Sequence, residues 1–279
     1  MSKQRLTLLV ENYACMASGR GIWAEHGLSY WIETETGKVL FDTGASGTVL
    51  MHNAATLGLD LAQTSAIVLS HGHHDHVGGL EMALQAAPNA AIFMHPDAQR
   101  PKHSGSPERK RRSDSPFFLA GKFGDNRKLV KSRSACEVIP GVWMTGEVPR
   151  PHDIEDTGGD FFTDETFSTP DILPDDQSLY IPSPEGSFVI LGCAHAGVIN
   201  TLDHIKKLTN DAPIRCVIGG THLESASEER MRWTVEQFKR LGIKEIHPCH
   251  CTGMKNTLRI CEAVGGNSAP AYAAFKMPL

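Results

Sequence analysis

Residues 70–79 read SHGHHDHVGG, with four histidines and an aspartate inside six positions and two glycines behind them. The stretch follows an apolar run, AIVLS (66–70), that reads as a buried strand, and it precedes the helical pattern GLEMALQAA (79–87). Function commonly sits at such a strand end, where polar side chains can be displayed by a rigid scaffold. Alternation lets His71 and His73 point to one side of an extended loop, while Asp75 and His76 can turn toward a second point nearby. Neutral imidazoles grouped with a carboxylate are the ligand chemistry of zinc. Gly72 frees the backbone, and Gly78 and Gly79 let the next helix pack closely. A purification tag would be a terminal homopolymer, whereas this cluster is internal and patterned.

The rest of the chain alternates strands and helices around it. RLTLLVEN (5–12), GLSYWIETETGKVLFDTG (27–44), SAIVLS (65–70) and AAIFMHP (90–96) read as strands, with a helix over 48–59. CEVIPGVWMTGEVPR (136–150) is strand-like, and QSLYIPS with GSFVILGC reads as a hairpin. A helical stripe follows at 197–210, then the buried strand IRCVIGG, a helix that opens at SASEE and stops at Gly242, and the strand IKEIHPC. Strands with helices outside each set predict a layered α/β sandwich, read as one domain over 1–279. Between the halves lies a basic insertion at about 97–135. Residues 100–133 alone hold 11 Lys and Arg against three acids, a local +8 in a chain of net −5. Long insertions in compact domains are often functional, so a mobile or helical cap favouring an anionic substrate is expected there, with a plain solvated loop as the alternative.

Seven cysteines are an odd number, in a chain long enough to bury a core without staples. They read as free thiols of a reducing compartment. The start, MSKQRLTLLVENYACM, lacks the long apolar region of a secretory signal, and no apolar run is long enough to span a membrane. A cytoplasmic protein acting on a small molecule is expected, without a membrane or nucleic-acid partner.

The pattern His71-x-His73-x-Asp75-His76 behind a strand, with Asp42-Thr43-Gly44 upstream, resembles the metallo-β-lactamase-fold hydrolases. LVENYA, EHGLSYWIE, TGEVPR, GCAHAGVINT, GGTHL and HCTG are similar to one branch, β-lactamase superfamily II, which includes archaeal dihydropterin–ribofuranosylaminobenzene-phosphate synthases. The resemblance implies a four-layer αβ/βα sandwich with two divalent ions at one edge; zinc is the first choice, manganese or iron the alternatives. His71, His73 and a third imidazole would hold one ion. Asp75, His76 and His250 would hold the other, since His250 matches the family's last ligand position. The family's usual third His is replaced by PDDQ (174–177), and its usual Asp by Cys193. His195 is the nearest imidazole to complete the first set, with Asp175 and Asp176 as rivals. Cys193 and His222 are candidates for metal or substrate, and Arg150 and Glu155 for substrate contact or a surface ion pair. Asp42 is expected to brace the loops, and Cys249 and Cys251 to serve local packing.

The implied activity is hydrolysis of an ester, thioester, lactone, amide or phosphoester by a metal-bridged hydroxide, the ions lying about 3.5–4 Å apart. Asp75 is the candidate proton acceptor. The alternatives are a pterin-forming synthase of the methanopterin type and a non-catalytic metal-binding protein.

Overall fold

The computed structural model describes residues 4–105, 109, 111–124 and 127–279. The chain runs through β1 (Arg5–Val10), β2 (Ser29–Glu33), β3 (Lys38–Phe41), α1 (Thr48–Thr56), β4 (Ala66–Val68), α2 (His74–Val77), α3 (Leu80–Ala86) and β5 (Ala91–Met94). The basic segment contributes β6 (His103–Ser104), β7 (Arg111–Arg112), α4 (Pro116–Ala120) and β8 (Leu129–Lys131). There follow β9 (Cys136–Ile139), β10 (Val142–Met144), β11 (Phe161–Phe162), β12 (Leu179–Ile181), β13 (Ser187–Leu191), α5 (Val198–Leu208), β14 (Ile214–Gly220), α6 (Glu228–Arg240), β15 (Ile246–Cys249), α7 (Met254–Val264) and β16 (Lys276–Pro278).

Two sheets face each other, in the orders β16-β1-β2-β3-β4-β5-β8 and β15-β14-β13-β12-β10-β9. Alternation decides the layers, because one side of each strand meets the other sheet and the other side meets helices. Leu8, Tyr30, Phe41 and Val68 pack against Met144, Phe188, Ile190 and Ile218 between the sheets. Leu9, Trp31, Leu40 and Ile67 turn outward to Leu50, Leu80 and Leu84 of the first helical layer. Val189, Leu191 and Val217 turn outward to Ile199, Leu202, Met231 and Ile260 of the second. This is the four-layer αβ/βα sandwich. Among the described residues no helix is long and apolar enough to cross a membrane.

The halves are tied more closely than their repeated alternation suggests. After α7 the chain returns as β16, which pairs antiparallel with β1 and so adds the C-terminal segment to the first sheet. The strands β3-β4-β5-β8 run parallel in one sheet and β13-β14-β15 in the other. Parallel strands gather their C-terminal ends at one edge, the usual place for a site in such sheets. The loops after β3, β4, β13, β14 and β15 carry Asp42, His71, His195, His222 and His250.

The basic segment is not a single cap. Its helix α4 packs Phe118 into the first helical layer, beside Phe123, and β8 pairs with β5 as an edge strand of the first sheet. Among the described residues of the segment, those that line the candidate site belong to β6, β7 and the positions next to them, joined by β11 in a small third sheet. Several of its cations serve the scaffold. Arg127 donates to the carbonyls of Leu84, Ala87 and Ala90 at the end of α3, and Arg133 pairs with Asp97 and Glu147. The local +8 is therefore not a free field. Residues 106–108, 110 and 125–126 of the segment lie outside the described residues.

Candidate metal centre

The turn after β4 is drawn tight by a close backbone approach: a Cβ on Gly72 would stand 2.1 Å from the Ala98 carbonyl oxygen. Gly72 donates its N–H to Asp175 (2.8 Å), and Asp175 accepts from the buried Lys102 (2.8 Å), which also reaches Asp171 (3.1 Å). Lys102 and Asp175 thus join the histidine turn to the chain just before β12.

Asp42 sits beneath the cluster with φ at 61°, a left-handed conformation that a non-glycine residue adopts at a cost. It makes the bracing contacts expected of it. Its carboxylate accepts from the Ser70 N–H and hydroxyl, both at 2.7 Å, and from His76 Nδ1 at 2.7 Å. Because the Ser70 hydroxyl gives its proton to Asp42, it can only accept from His71 Nδ1, 2.9 Å away. Both rings therefore turn Nε2 toward the other donors of the cluster. His71 Nε2 faces His73 Nδ1 at 2.9 Å, and His76 Nε2 faces Cys193 Sγ at 3.1 Å.

The second-half donors are fixed by other means. His195 gives Nδ1 to the Thr157 carbonyl (2.8 Å), its own carbonyl accepts from Arg150 (2.9 Å), and the next N–H, of Ala196, is held by Asp176 (2.9 Å). Ala194, just before His195, has φ 54°. His250 gives Nδ1 to Asn12 (2.9 Å), and its N–H is held by Glu11 (2.7 Å). His222 and His250 both lie in the left-handed region, at 48° and 52°. Such strained positions cluster where a site over-determines them.

The result is two groups of donors at one cavity of about 1060 Å³. His71, His73 and His195 bring ring nitrogens within 4.8 Å of one another, and His26, Asp75 and His250 do the same with their donor atoms. Asp75 Oδ2 lies 3.7 Å from His76 Nε2 and 3.3 Å from His250 Nε2. Of the rivals of His195, Asp175 has both oxygens engaged, by Lys102 and Gly72, and Asp176 holds the Ala196 N–H through Oδ2 while its Oδ1 is buried without a hydrogen-bond partner among the described residues; neither lines the cavity.

The donor chemistry fits divalent metal. Nε2 of His73 and of His195 is buried without a hydrogen-bond partner among the described residues, an arrangement that costs free energy unless something polar meets it. Burial holds His71 and His195 well below the usual histidine range, takes His73 down to about 3 and lowers His250, so these rings are neutral lone-pair donors at pH 7. His76 behaves differently. Burial opposes its charge, yet Asp75 and Asp42 raise it to about 9, marking a point flanked by carboxylates that asks for a cation. Asp75 is also disfavoured as an anion by burial, but His76, with His250 and His26 close beside it, holds it well below the carboxylate range.

Other expected residues serve differently. Arg150 donates to the carbonyls of His195 and Leu173 and does not line the cavity. Glu155 accepts from the N–H groups of Ile199 and Asn200, capping α5, because helix starts leave such donors unpaired. Neither makes the expected surface ion pair with the other. Cys249 packs in the core with Sγ 3.5 Å from the Tyr30 hydroxyl. Cys251, expected to pack likewise, instead has its sulfur among the donors with Cys193 and His250. His26, 3.3 Å from Asp75, and the Glu11–Asn12 pair were passed over by reasoning from spacing alone. Their signal is a buried acid directly after the apolar run of β1.

Comparison with known proteins agrees with this architecture. The family model of the metallo-beta-lactamase superfamily matches residues 22–250. A Methanocaldococcus jannaschii protein named 7,8-dihydropterin-6-methyl-4-(beta-D-ribofuranosyl)-aminobenzene-5'-phosphate synthase is 30% identical, the match covering 90% of this chain and 88% of that protein. An uncharacterized protein of the same organism is 28% identical over 92% of this chain and 94% of its own length. A solved structure described as a metal-dependent hydrolase of the beta-lactamase superfamily superposes with a TM-score of 0.83 and 29% identity, covering 99% of both chains.

Proposed function

The chain belongs to the metallo-beta-lactamase superfamily, and from that premise we propose that it is a metal-dependent hydrolase of a small anionic ester, with a phosphoester as the first choice. The supporting observation is that both donor groups and two basic side chains, Arg109 and Arg111, line the same cavity. Among the described residues no carboxylate forms an ion pair with either arginine.

In this reading His71, His73 and His195 hold one divalent ion and Asp75, His76 and His250 a second, zinc being the best match to the donors. Such ions supply Lewis acidity, which makes water nucleophilic near neutral pH and takes up charge on substrate oxygen. The protein's own groups orient the substrate and move the protons. Asp75, kept ionised, accepts the proton that water loses and passes it to His26 Nε2, 3.3 Å away. The Asp75 carboxylate, which accepts a hydrogen bond from His26 once that ring is protonated, raises the proton affinity of His26, which suits it to carry that proton toward solvent. Burial lowers His222 to about 4, so its neutral ring can donate a hydrogen bond to a substrate oxygen. Phe161 packs against His73 and His195, at centroid distances of 4.9 and 5.1 Å, and keeps water from that wall. Arg109 and Arg111 hold the anionic group.

The test is metal analysis after zinc or manganese reconstitution, followed by a panel of phosphoesters, carboxylic esters, thioesters, lactones and amides. About two ions per chain and turnover of phosphoesters are expected. Reversing both charges (R109E with R111E) should raise KM for the anionic substrate about tenfold at low salt and flatten its salt dependence. Metal-free protein after reconstitution, or hydrolysis of neutral esters alone, would overturn the reading. A second reading, a pterin-forming synthase, is supported by the named archaeal relative. It predicts condensation of a pterin precursor with an aminobenzene ribosyl phosphate and no turnover on the panel.

A further inference from the structure

Two thiols in the cavity are left unused by the ligand sets just described. Cys193 Sγ, 3.1 Å from His76 Nε2, belongs to three groups whose donor atoms lie within 4.8 Å of one another: with His71 and His76, with His195 and His222, and with His250 and Cys251. A sulfur that belongs to all three adjoins donors of both sets. Cys251 Sγ lies 3.7 Å from the Cys193 carbonyl oxygen. It is seated against Gly220, where any Cβ would come to 2.6 Å of the sulfur. Both cysteines are buried yet line the cavity. Cys216, by contrast, lies in the core between the sheets.

We propose that Cys193 and Cys251 are metal ligands, Cys193 as a thiolate shared by the two ions and Cys251 as a terminal thiolate on the ion beside His250. The proposal rests on the metal-centre reading above. Each thiol releases its proton to solvent as its sulfur coordinates. Cys193 then fills the place where the family's aspartate is absent, and the centre changes from nitrogen and oxygen donors to a mixed set with sulfur. Thiolates are soft ligands, so this chain should select zinc over manganese or magnesium, which favour oxygen.

X-ray absorption at the zinc edge of the zinc-loaded full-length protein tests this without recourse to activity. A sulfur shell at about 2.3 Å is expected beside the nitrogen and oxygen shell. One bridging and one terminal sulfur make three zinc–sulfur bonds, so C251S should retain about two thirds of the sulfur amplitude and C193S about one third. C216S should leave it unchanged. In competition, wild-type protein should favour zinc over manganese, with the preference narrowed about tenfold or more in C251S. Should C193S fail to fold, the wild-type shell and C251S still decide the matter. Zinc bound with a shell of nitrogen and oxygen only overturns the thiolate assignment and leaves the hydrolase reading standing. Failure to bind zinc overturns both.

Discussion

His71, His73, Asp75 and His76 hang from one turn behind β4, whereas Cys193, His195, His222 and His250 hang from the ends of three different strands. In the first region the backbone sets the donor spacing. A strand end, a glycine and the first turn of a short helix place four side chains within six residues. In the second region spacing along the chain says little. His195 and His250 reach one cavity because β13, β14 and β15 pair in parallel register, with Leu191 opposite Gly219 and Gly220 opposite Cys249. Each then depends on braces from elsewhere: Arg150, Thr157 and Asp176 for His195, Glu11 and Asn12 for His250. A local turn can be recognised from its own residues. A dispersed set is specified by tertiary structure.

The comparison breaks most severely where the two regions are tied. Lys102→Met leaves Asp171 and Asp175 buried without their cation, and Asp175 holds Gly72 in the histidine turn. Urea unfolding should show a loss of about 3–5 kcal/mol. A loss near zero would mean that the turn stands without its tie to the second half. Asp42→Asn acts on the local region alone. It removes the acceptor for His76 Nδ1, so chelator competition should show metal affinity reduced about 10–100-fold. An unchanged affinity would show that the turn needs no brace beneath it. Glu155→Ala acts on the dispersed region and should be mildest. Removing the cap of α5 should lower stability by about 1 kcal/mol, with KM unchanged because Glu155 does not line the cavity. A selective rise in KM with unaltered stability would restore Glu155 as a substrate contact.

The same contrast explains what the sequence disclosed. The sandwich was legible because its buried strands are short apolar runs, as Leu8, Leu9 and Val10 in β1, and its helices carry a clear stripe, as Ile199, Leu202 and Ile205 in α5. The histidine turn was legible because it is contiguous. Arg150 and Glu155 were not legible because polar residues in a loop look alike whether they face a ligand or a backbone. Their partners, the His195 carbonyl and the start of α5, are more than 40 residues away. The basic segment was only partly legible because charge counted along a chain ignores pairing. Lys102, Arg127 and Arg133 are engaged with the scaffold, while Arg109 and Arg111 line the cavity. Cys251 offered no signal beyond standing next to His250, since whether such a side chain packs or faces the site depends on how the turn after β15 meets Gly220.

The most direct test of the dispersed set is metal stoichiometry in His195→Ala beside Asp176→Asn. Both variants would be loaded with zinc, freed of loose metal and assayed by elemental analysis, with circular dichroism to confirm folding. The account predicts about one ion lost per chain in His195→Ala, with turnover abolished, because the first set then keeps only His71 and His73. Asp176→Asn should keep both ions, since its carboxylate braces the Ala196 N–H. If His195→Ala retains both ions and near-normal turnover, His195 is not the third ligand and Asp176 takes its place.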